Sequence, residues 1–172
     1  MEVIDNEVIL SLGSDLGNKI NNLENAIARI EQSVGKISKI SSIYETMPHR
    51  FYSETTFYNL CLRLTTRFSS SLLLKKLQEI ESEVGREKKT NSEYYESRII
   101  DIDVIYFNGD IISTEKLKVP HPKFRDRNFV LIPLVEIEPN YIDPVSNLTT
   151  TQLYKNCIDE SNANKIEHRF SI

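Results

Sequence analysis

In Tyr58-Asn59-Leu60-Cys61-Leu62-Arg63-Leu64, the even positions Tyr58, Leu60, Leu62 and Leu64 are apolar and large, and Asn59, Cys61 and Arg63 alternate with them. Only an extended chain puts every second side chain on one side, so this stretch predicts a half-buried strand. One apolar face needs a cover, and a helix lies on each side of the strand in sequence. Upstream, Ile20, Leu23, Ile27, Ile30 and Val34 recur at helical spacing behind Asn18, an N-cap candidate, and stop at Gly35. Downstream, Leu73, Leu77, Ile80 and Val84 do the same between Ser69-Ser70-Ser71 and Gly85.

Further strands complete the frame. Val8-Ile9-Leu10-Ser11-Leu12 reads as a buried strand that turns through Gly13-Ser14-Asp15-Leu16-Gly17-Asn18 into the first helix. Residues 36–46, rich in Ile, Ser and Tyr, read as one strand; residues 99–107 read as another, turned at Asn108-Gly109-Asp110 into a short return at Ile111 and Ile112. The order strand, helix, strand, strand, helix, strand is the split βαβ plan. The expected fold is therefore α+β, a ferredoxin-like βαββαβ antiparallel sheet with helices on one face and a C-terminal extension carrying helices over 129–137 and 149–157. Residues 47–56 and 86–96 have no apolar periodicity and read as long surface loops. No repeat, low-complexity tract or Pro/Gly-rich linker divides the chain, so a single domain over 1–172 is expected.

Composition excludes several function classes. The 172 residues are 40% hydrophobic and 27% charged, an ordinary globular mixture. A net charge of -4 disfavours a nucleic-acid partner bound through a broad basic field. Cys61 and Cys157 fit neither a disulfide framework nor a CxxC pattern, and His49, His121 and His168 form no HxH or HxxxH pair, so any metal should be hard and oxygen-bound. The acidic start, Met1-Glu2-Val3-Ile4-Asp5-Asn6-Glu7, is unlike a signal peptide, and the longest apolar run, Phe129 to Val135, is too short to span a bilayer. A cytoplasmic protein with no membrane partner is expected, with monomer as the default state.

The chemistry concentrates in Arg98-Ile99-Ile100-Asp101-Ile102-Asp103. On a strand, residues two apart lie about 6.6–7 Å apart on one face, so Asp101 and Asp103 form one acidic patch. Alternation puts Ile100, Ile102, Val104 and Tyr106 on the other face, while the acidic face becomes apolar at Ile105 and Phe107. Like charges at a sheet end need a compensating cation, which can be a metal ion or Arg98 itself. An isolated pair of this kind fits both a metal site and a solvated strand end. Magnesium favours carboxylates combined with water and substrate phosphates, so a metal-nucleotide site suits the pair better than an all-protein cage. Arg86, Lys88, Lys89 and Arg98 precede the pair, and Lys116, Lys118, His121, Lys123, Arg125 and Arg127 follow it, a cation supply suited to phosphoryl chemistry. The turn from Gly13 to Lys19 lacks the GxxxxGK[ST] spacing and is no Walker loop.

Seven separate stretches carry a resemblance. They are Leu12-Gly13-Ser14-Asp15-Leu16-Gly17, Tyr44-Glu45-Thr46, Phe57-Tyr58-Asn59, Glu79-Ile80-Glu81 with Gly85-Arg86, Arg98-Ile99-Ile100-Asp101-Ile102-Asp103-Val104-Ile105, Val119-Pro120-His121-Pro122 and Arg127-Asn128-Phe129-Val130-Leu131. In this order, over nearly the whole chain, the sequence resembles the 6-hydroxymethyl-7,8-dihydropterin pyrophosphokinases of folate biosynthesis. The resemblance implies transfer of pyrophosphate from ATP to the pterin hydroxymethyl group, leaving AMP, with ATP as co-substrate and two Mg2+ ions held by Asp101 and Asp103. It implies catalytic roles for Arg86 and Arg98 beside the two aspartates. ATP would be bound by Glu81, Lys88, Tyr95, Arg98, Lys116, Lys118, His121 and Arg127. The pterin would lie between Phe57 and Phe129, with Asn59, the Thr46 backbone and Gly13 along its edge, although both rings would equally serve as core packing.

The chain departs from the family pattern at Tyr95-Glu96-Ser97, where an aromatic residue, Gly and Pro often stand. Lys88 replaces a frequent arginine and loses bidentate phosphate geometry, and Met47 and Pro122 replace a common Pro and Tyr. The rival readings are a non-catalytic ferredoxin-like binding module and a nucleotidyltransferase that would release pyrophosphate.

Overall fold

The computed structural model describes residues 4–47, 56–85 and 99–171. Its frame is a six-stranded antiparallel sheet built on β4 (Phe57–Thr66). β1 (Asn6–Ser14) pairs with β4 along its full length, and β5 (Asp101–Phe107) lies outside β1. The other edge of β4 is shared. β2 (Lys36–Ile40) takes its C-terminal half and β3 (Ile43–Thr46) its N-terminal end. The single strand expected over 36–46 is therefore two, broken at Ser41 and Ser42. Ser41 is 2% exposed and ties the break to β4, donating its N–H to the Cys61 carbonyl at 2.9 Å and accepting the Cys61 N–H on its hydroxyl at 3.0 Å.

Helices α1 (Lys19–Ser33) and α2 (Ser70–Gly85) cover one face, as the split βαβ plan requires. Leu23, Ile27, Ile30, Leu73, Leu77 and Ile80 pack there against Val8, Leu10, Leu12, Leu60, Leu62 and Leu64. Asn18 caps α1, its side chain accepting the Asn21 N–H. Gly35 follows the end of α1 as expected, its N–H donating to the Ile30 carbonyl at 3.2 Å, and a Cβ there would meet the Thr65 carbonyl oxygen at 2.0 Å, so only glycine lets the chain pass from α1 this close to β4.

The C-terminal extension buries the opposite face. α3 (Asn128–Ile137) and α4 (Thr150–Asn156) pack Val130, Leu131, Leu134 and Leu153 against Ile9, Cys61, Ile105 and Tyr106. β4 is thus central and covered on both sides rather than half-buried, with Cys61 at 0% exposure. The extension also returns to the sheet as a strand, β8 (Ala163–Ile166) on β3, which short polar sequence did not signal. The return after Asn108-Gly109 does not pair with β5. Ile112 and Ser113 of β6 (Ile112–Ser113) instead form a separate hairpin with β7 (Lys118–Val119).

Strand β5 carries a bulge. Leu10 pairs with Val104 and Ile9 with Tyr106, so Ile105 has no partner residue on β1. The extra residue reverses the alternation beyond it. Tyr106 faces the α3 layer and Phe107 the α1/α2 core, the opposite of the strict alternation read from sequence. Tyr106 there meets a polar knot inside the α3 layer. Asp143, 0% exposed, accepts from Arg125 Nε at 2.9 Å and Nη2 at 2.7 Å, from Ser146 and from the Tyr106 hydroxyl. Burial alone would raise the Asp143 pKa, but Arg125 and Ser146 hold it below the ordinary carboxylate value. Among the described residues no helix is long and apolar enough to cross a membrane.

Candidate active site

The sheet register gathers residues from five strands into one row. Asp101 on β5 is opposite Gly13 on β1, Gly13 opposite Asn59 on β4, Asn59 opposite Tyr44 on β3, and Tyr44 opposite Lys165 on β8. In the next row Asp103 faces Ser11, which faces Cys61. Strand parity places Asp101, Asp103, Gly13, Asn59 and Phe57 on the face that α3 covers, with Ile102, Leu12, Leu60 and Leu62 in the opposite core. At about 4.8 Å between strands, Asp101 and Asn59 lie about 10 Å apart with only glycine between them.

That glycine is required by the row. A Cβ on Gly13 would lie 2.6 Å from Asn59 Oδ1, so the Asn59 carboxamide lies across the β1 backbone. Asn59 is 5% exposed, and its Nδ2 approaches Thr46 Oγ1 at 3.4 Å, which links it to the end of β3 where Thr46 is opposite Phe57. A polar side chain buried this deeply is rarely a packing choice. Periodicity alone gives Asn59 only as the polar half of an alternation, and it is the resemblance that sets it at the pterin edge.

Asp101 and Asp103 are half-buried on one face at the start of β5, as the period-two reading requires. Glu81 on α2 sets the strand between them, with Oε1 accepting the Ile102 N–H at 2.7 Å. Helix α2 is thereby fastened to the peptide joining the two carboxylates, a positioning link that the motif Glu79-Ile80-Glu81 gave no hint of. At the root of the same strand, Ser14 Oγ donates to the Ile99 carbonyl at 2.5 Å, and Asn22 Nδ2 donates to Ser14 Oγ at 3.1 Å and the Leu16 carbonyl at 2.8 Å.

His121 follows the β6–β7 hairpin and docks on the bulge. Its N–H donates to the Ile105 carbonyl at 3.1 Å, and its Nε2 is 3.8 Å from Asp103 Oδ2. Burial, then the positive field of Arg127, lowers its pKa to about 4 against the opposing pull of Asp101. The ring is therefore neutral near pH 7. Nδ1 accepts the Lys123 N–H at 3.2 Å, so the ring proton resides on Nε2, on the side of the aspartates.

Arg127 precedes α3, and its guanidinium is 5.5 Å from the centre of the Phe129 ring, within cation–π range. Phe129 is partly buried against the α3 layer. Lys116 and Lys118 are exposed on the β6–β7 hairpin. Arg125, counted with these cations in the sequence, is committed to Asp143. Arg86, Lys88, Tyr95 and Arg98 lie outside the described residues, as do the Tyr95-Glu96-Ser97 departure and most of the two loops.

Among the described residues, no three His, Cys, Asp or Glu side chains come together as an all-protein metal cage. The donor set at the end of β5 is two carboxylates on one face beside a neutral imidazole, which fits a hard cation that completes its shell with water and phosphate oxygens.

Comparison with known proteins identifies the family. The profile of 7,8-dihydro-6-hydroxymethylpterin-pyrophosphokinase (HPPK) matches residues 9–139. The 2-amino-4-hydroxy-6-hydroxymethyldihydropteridine pyrophosphokinase of Aquifex aeolicus is 38% identical over 138 residues, covering 80% of this chain and 84% of that protein. The folic acid synthesis protein FOL1 of Dictyostelium discoideum is 37% identical over 94% of this chain, which spans only 24% of that longer relative. The crystal structure of wild-type Plasmodium falciparum HPPK-DHPS superposes with a TM-score of 0.70 at 20% identity, over 88% of this chain and 44% of that one, and shows the same fold. By the profile match over residues 9–139 and the 38% identity to a relative covered over 84% of its length, the chain belongs to the 7,8-dihydro-6-hydroxymethylpterin-pyrophosphokinase family.

Proposed function

We propose that this chain, as a single pyrophosphokinase unit over 1–172, transfers pyrophosphate from ATP to the hydroxymethyl group of 6-hydroxymethyl-7,8-dihydropterin, giving AMP and the pterin diphosphate in folate synthesis. The observation that carries the reading is the row Asp101, Gly13, Asn59 on one sheet face, which sets a carboxylate pair about 10 Å from a buried carboxamide. A flat heterocycle and a triphosphate need such an arrangement, with an edge reader at one end and a charge-handling end at the other.

In this reading the hydroxymethyl oxygen attacks the β phosphorus of ATP and gives up its proton, the bridge between α and β phosphates breaks, and AMP leaves with the bridging oxygen. Asp101 and Asp103 would hold two Mg2+ ions, which supply charge neutralisation and orientation of the phosphates. Neutral His121 presents its Nε2–H to phosphate oxygens near Asp103, where a hydrogen bond to a developing charge is strongest in a partly buried setting. Arg127, Lys116 and Lys118, with Arg86, Lys88, Tyr95 and Arg98, provide the remaining nucleotide contacts. Glu81 acts on the nucleotide side by holding the β5 backbone between the two carboxylates. Phe57 and Phe129 flank the pterin ring while Asn59, the Thr46 backbone and the open backbone at Gly13 read its edge. Exclusion of water at the phosphorus follows from closing a slot between these walls.

The test is incubation of the protein with ATP, magnesium and 6-hydroxymethyl-7,8-dihydropterin, with separation of AMP from ADP. Pterin-dependent AMP is expected. ADP, pyrophosphate release or no turnover in its place would overturn the proposal.

A further inference from the structure

We propose that the segment from Asp159 to Phe170 is a strap that sets the pterin slot, with Asp159 as its positioning residue; this rests on the pyrophosphokinase reading above. Helix α3 has no side-chain cap of its own, since Arg127 at its N-cap makes no capping bond. The cap comes from 31 residues away: Asp159 Oδ2 accepts the Asn128 N–H at 2.9 Å. Asn128 answers by donating its side-chain amide to the Asp159 carbonyl and, at 3.5 Å, to the Ser161 carbonyl. Its Oδ1 is the one buried side-chain N or O atom without a partner among the described residues, so Asn128 is committed to the strap at the expense of its own acceptor. The second carboxylate oxygen of Asp159 is held by Ser161, from N–H at 2.9 Å and hydroxyl at 2.6 Å. A carboxylate fixed from both sides at a helix N-terminus both satisfies an open donor and complements the helix dipole.

Two residues beyond Ser161 the strap joins the sheet. Ala163 pairs with Thr46, Asn164 with Glu45, Lys165 with Tyr44 and Ile166 with Ile43. It then rounds the edge, where His168 Nε2 is 2.9 Å from Glu24 Oε1 and Phe170 packs on the α1/α2 core. Asn128 lies between Arg127 and Phe129, and Thr46 is opposite Phe57. One short stretch, anchored at both ends, therefore connects the element carrying one proposed aromatic wall to the strand end beside the other. Asp101, Asp103 and His121 lie on or beside β5, at the far edge of the sheet from β8. Loosening the strap should therefore weaken the pterin far more than ATP, of whose proposed contacts only Arg127 adjoins Asn128.

The experiment compares wild type, Asp159→Ala, Asp159→Asn and Ser161→Ala in the AMP-forming assay, with the KM for pterin and for ATP measured separately. Asp159→Ala should raise the pterin KM about tenfold with the ATP KM and kcat within about threefold, and Asp159→Asn, which keeps an acceptor for the Asn128 N–H, should restore most of it. Ser161→Ala, which removes one hydroxyl and keeps the backbone intact, should raise the pterin KM about twofold to threefold and carries the test alone if Asp159→Ala does not fold. A wild type that forms no pterin-dependent AMP would overturn the proposed function and the strap with it. An active wild type with an unchanged pterin KM in the folded variants, even with a lowered Tm, would overturn the strap alone.

Discussion

Replacing Gly13 with alanine tests the site through a single methyl group. The new Cβ would sit 2.6 Å from Asn59 Oδ1, where ordinary contacts begin at 3.4 Å, and Asn59 is 5% exposed with little room to retreat. The carboxamide must move by roughly 0.8 Å, and forcing a buried side chain off its rotamer by overpacking costs about 1–2 kcal/mol. In a chain of 172 residues that lowers Tm by about 2–8 °C. In the proposed function the shift also withdraws the hydrogen-bonding edge that Asn59 would offer the pterin. Losing one or two neutral hydrogen bonds is worth about 1–2 kcal/mol, equivalently about a 5- to 30-fold rise in pterin KM, while the ATP KM stays within about twofold. Differential scanning fluorimetry and steady-state AMP formation at varied pterin and at varied ATP separate the two effects. A lowered Tm with an unchanged pterin KM would show that Asn59 does not read the heterocycle. An unchanged Tm would refute the contact itself.

Asp101→Ala or Asp103→Ala should each lower turnover by about 1000-fold while the circular dichroism spectrum is kept, because each would remove a proposed ligand to the ions on ATP; near-normal activity in both would sink the metal assignment. Glu81→Ala leaves the Ile102 N–H without its acceptor and should cost about 1–3 kcal/mol by urea unfolding, with Glu81→Gln recovering most of the loss. Equal loss in both variants would show that charge rather than the backbone bond matters. Asp143→Asn should destabilise by about 3 kcal/mol near pH 7 because it leaves Arg125 facing a neutral amide. The folded pKa of Asp143 is depressed, so its contribution is present above the unfolded value of about 3.9 and is lost as pH falls through the folded pKa. Wild-type Tm should therefore drop more steeply below about pH 4 than that of Asp143→Asn, and parallel Tm profiles would contradict the assignment.

The period-two and period-3.6 patterns were legible because β4, α1 and α2 each have a face whose burial demands them. The identity of the second face was not. By periodicity Asn59 and Cys61 are only the alternate face of a half-buried strand, and it is the fold that packs Cys61 into the α3 layer. The break at Ser41 and the strand β8 escaped notice because an edge strand of four mixed residues leaves no periodic trace. Gly35 looked like a helix stop, and its reason, a carbonyl from a strand 30 positions on, is a tertiary contact that local sequence cannot encode. In the site, Asp101 and Asp103 were readable as a pair by parity, whereas the bond from Glu81 to the Ile102 N–H depends on how α2 sits against β5.

The bulge at Ile105 bears on how the family tolerates insertions and deletions. Removing one residue from the second half of β5 would restore a regular ladder with β1, usually a harmless repair. Here, losing Ile105 would leave Tyr106 opposite Ile9 and Phe107 opposite Val8 on their present faces, but it would erase the carbonyl on which His121 docks beside Asp103. The irregular residue makes this strand a place where chain length cannot drift, so length changes among relatives should collect in the loops and spare the seven residues from Asp101 to Phe107.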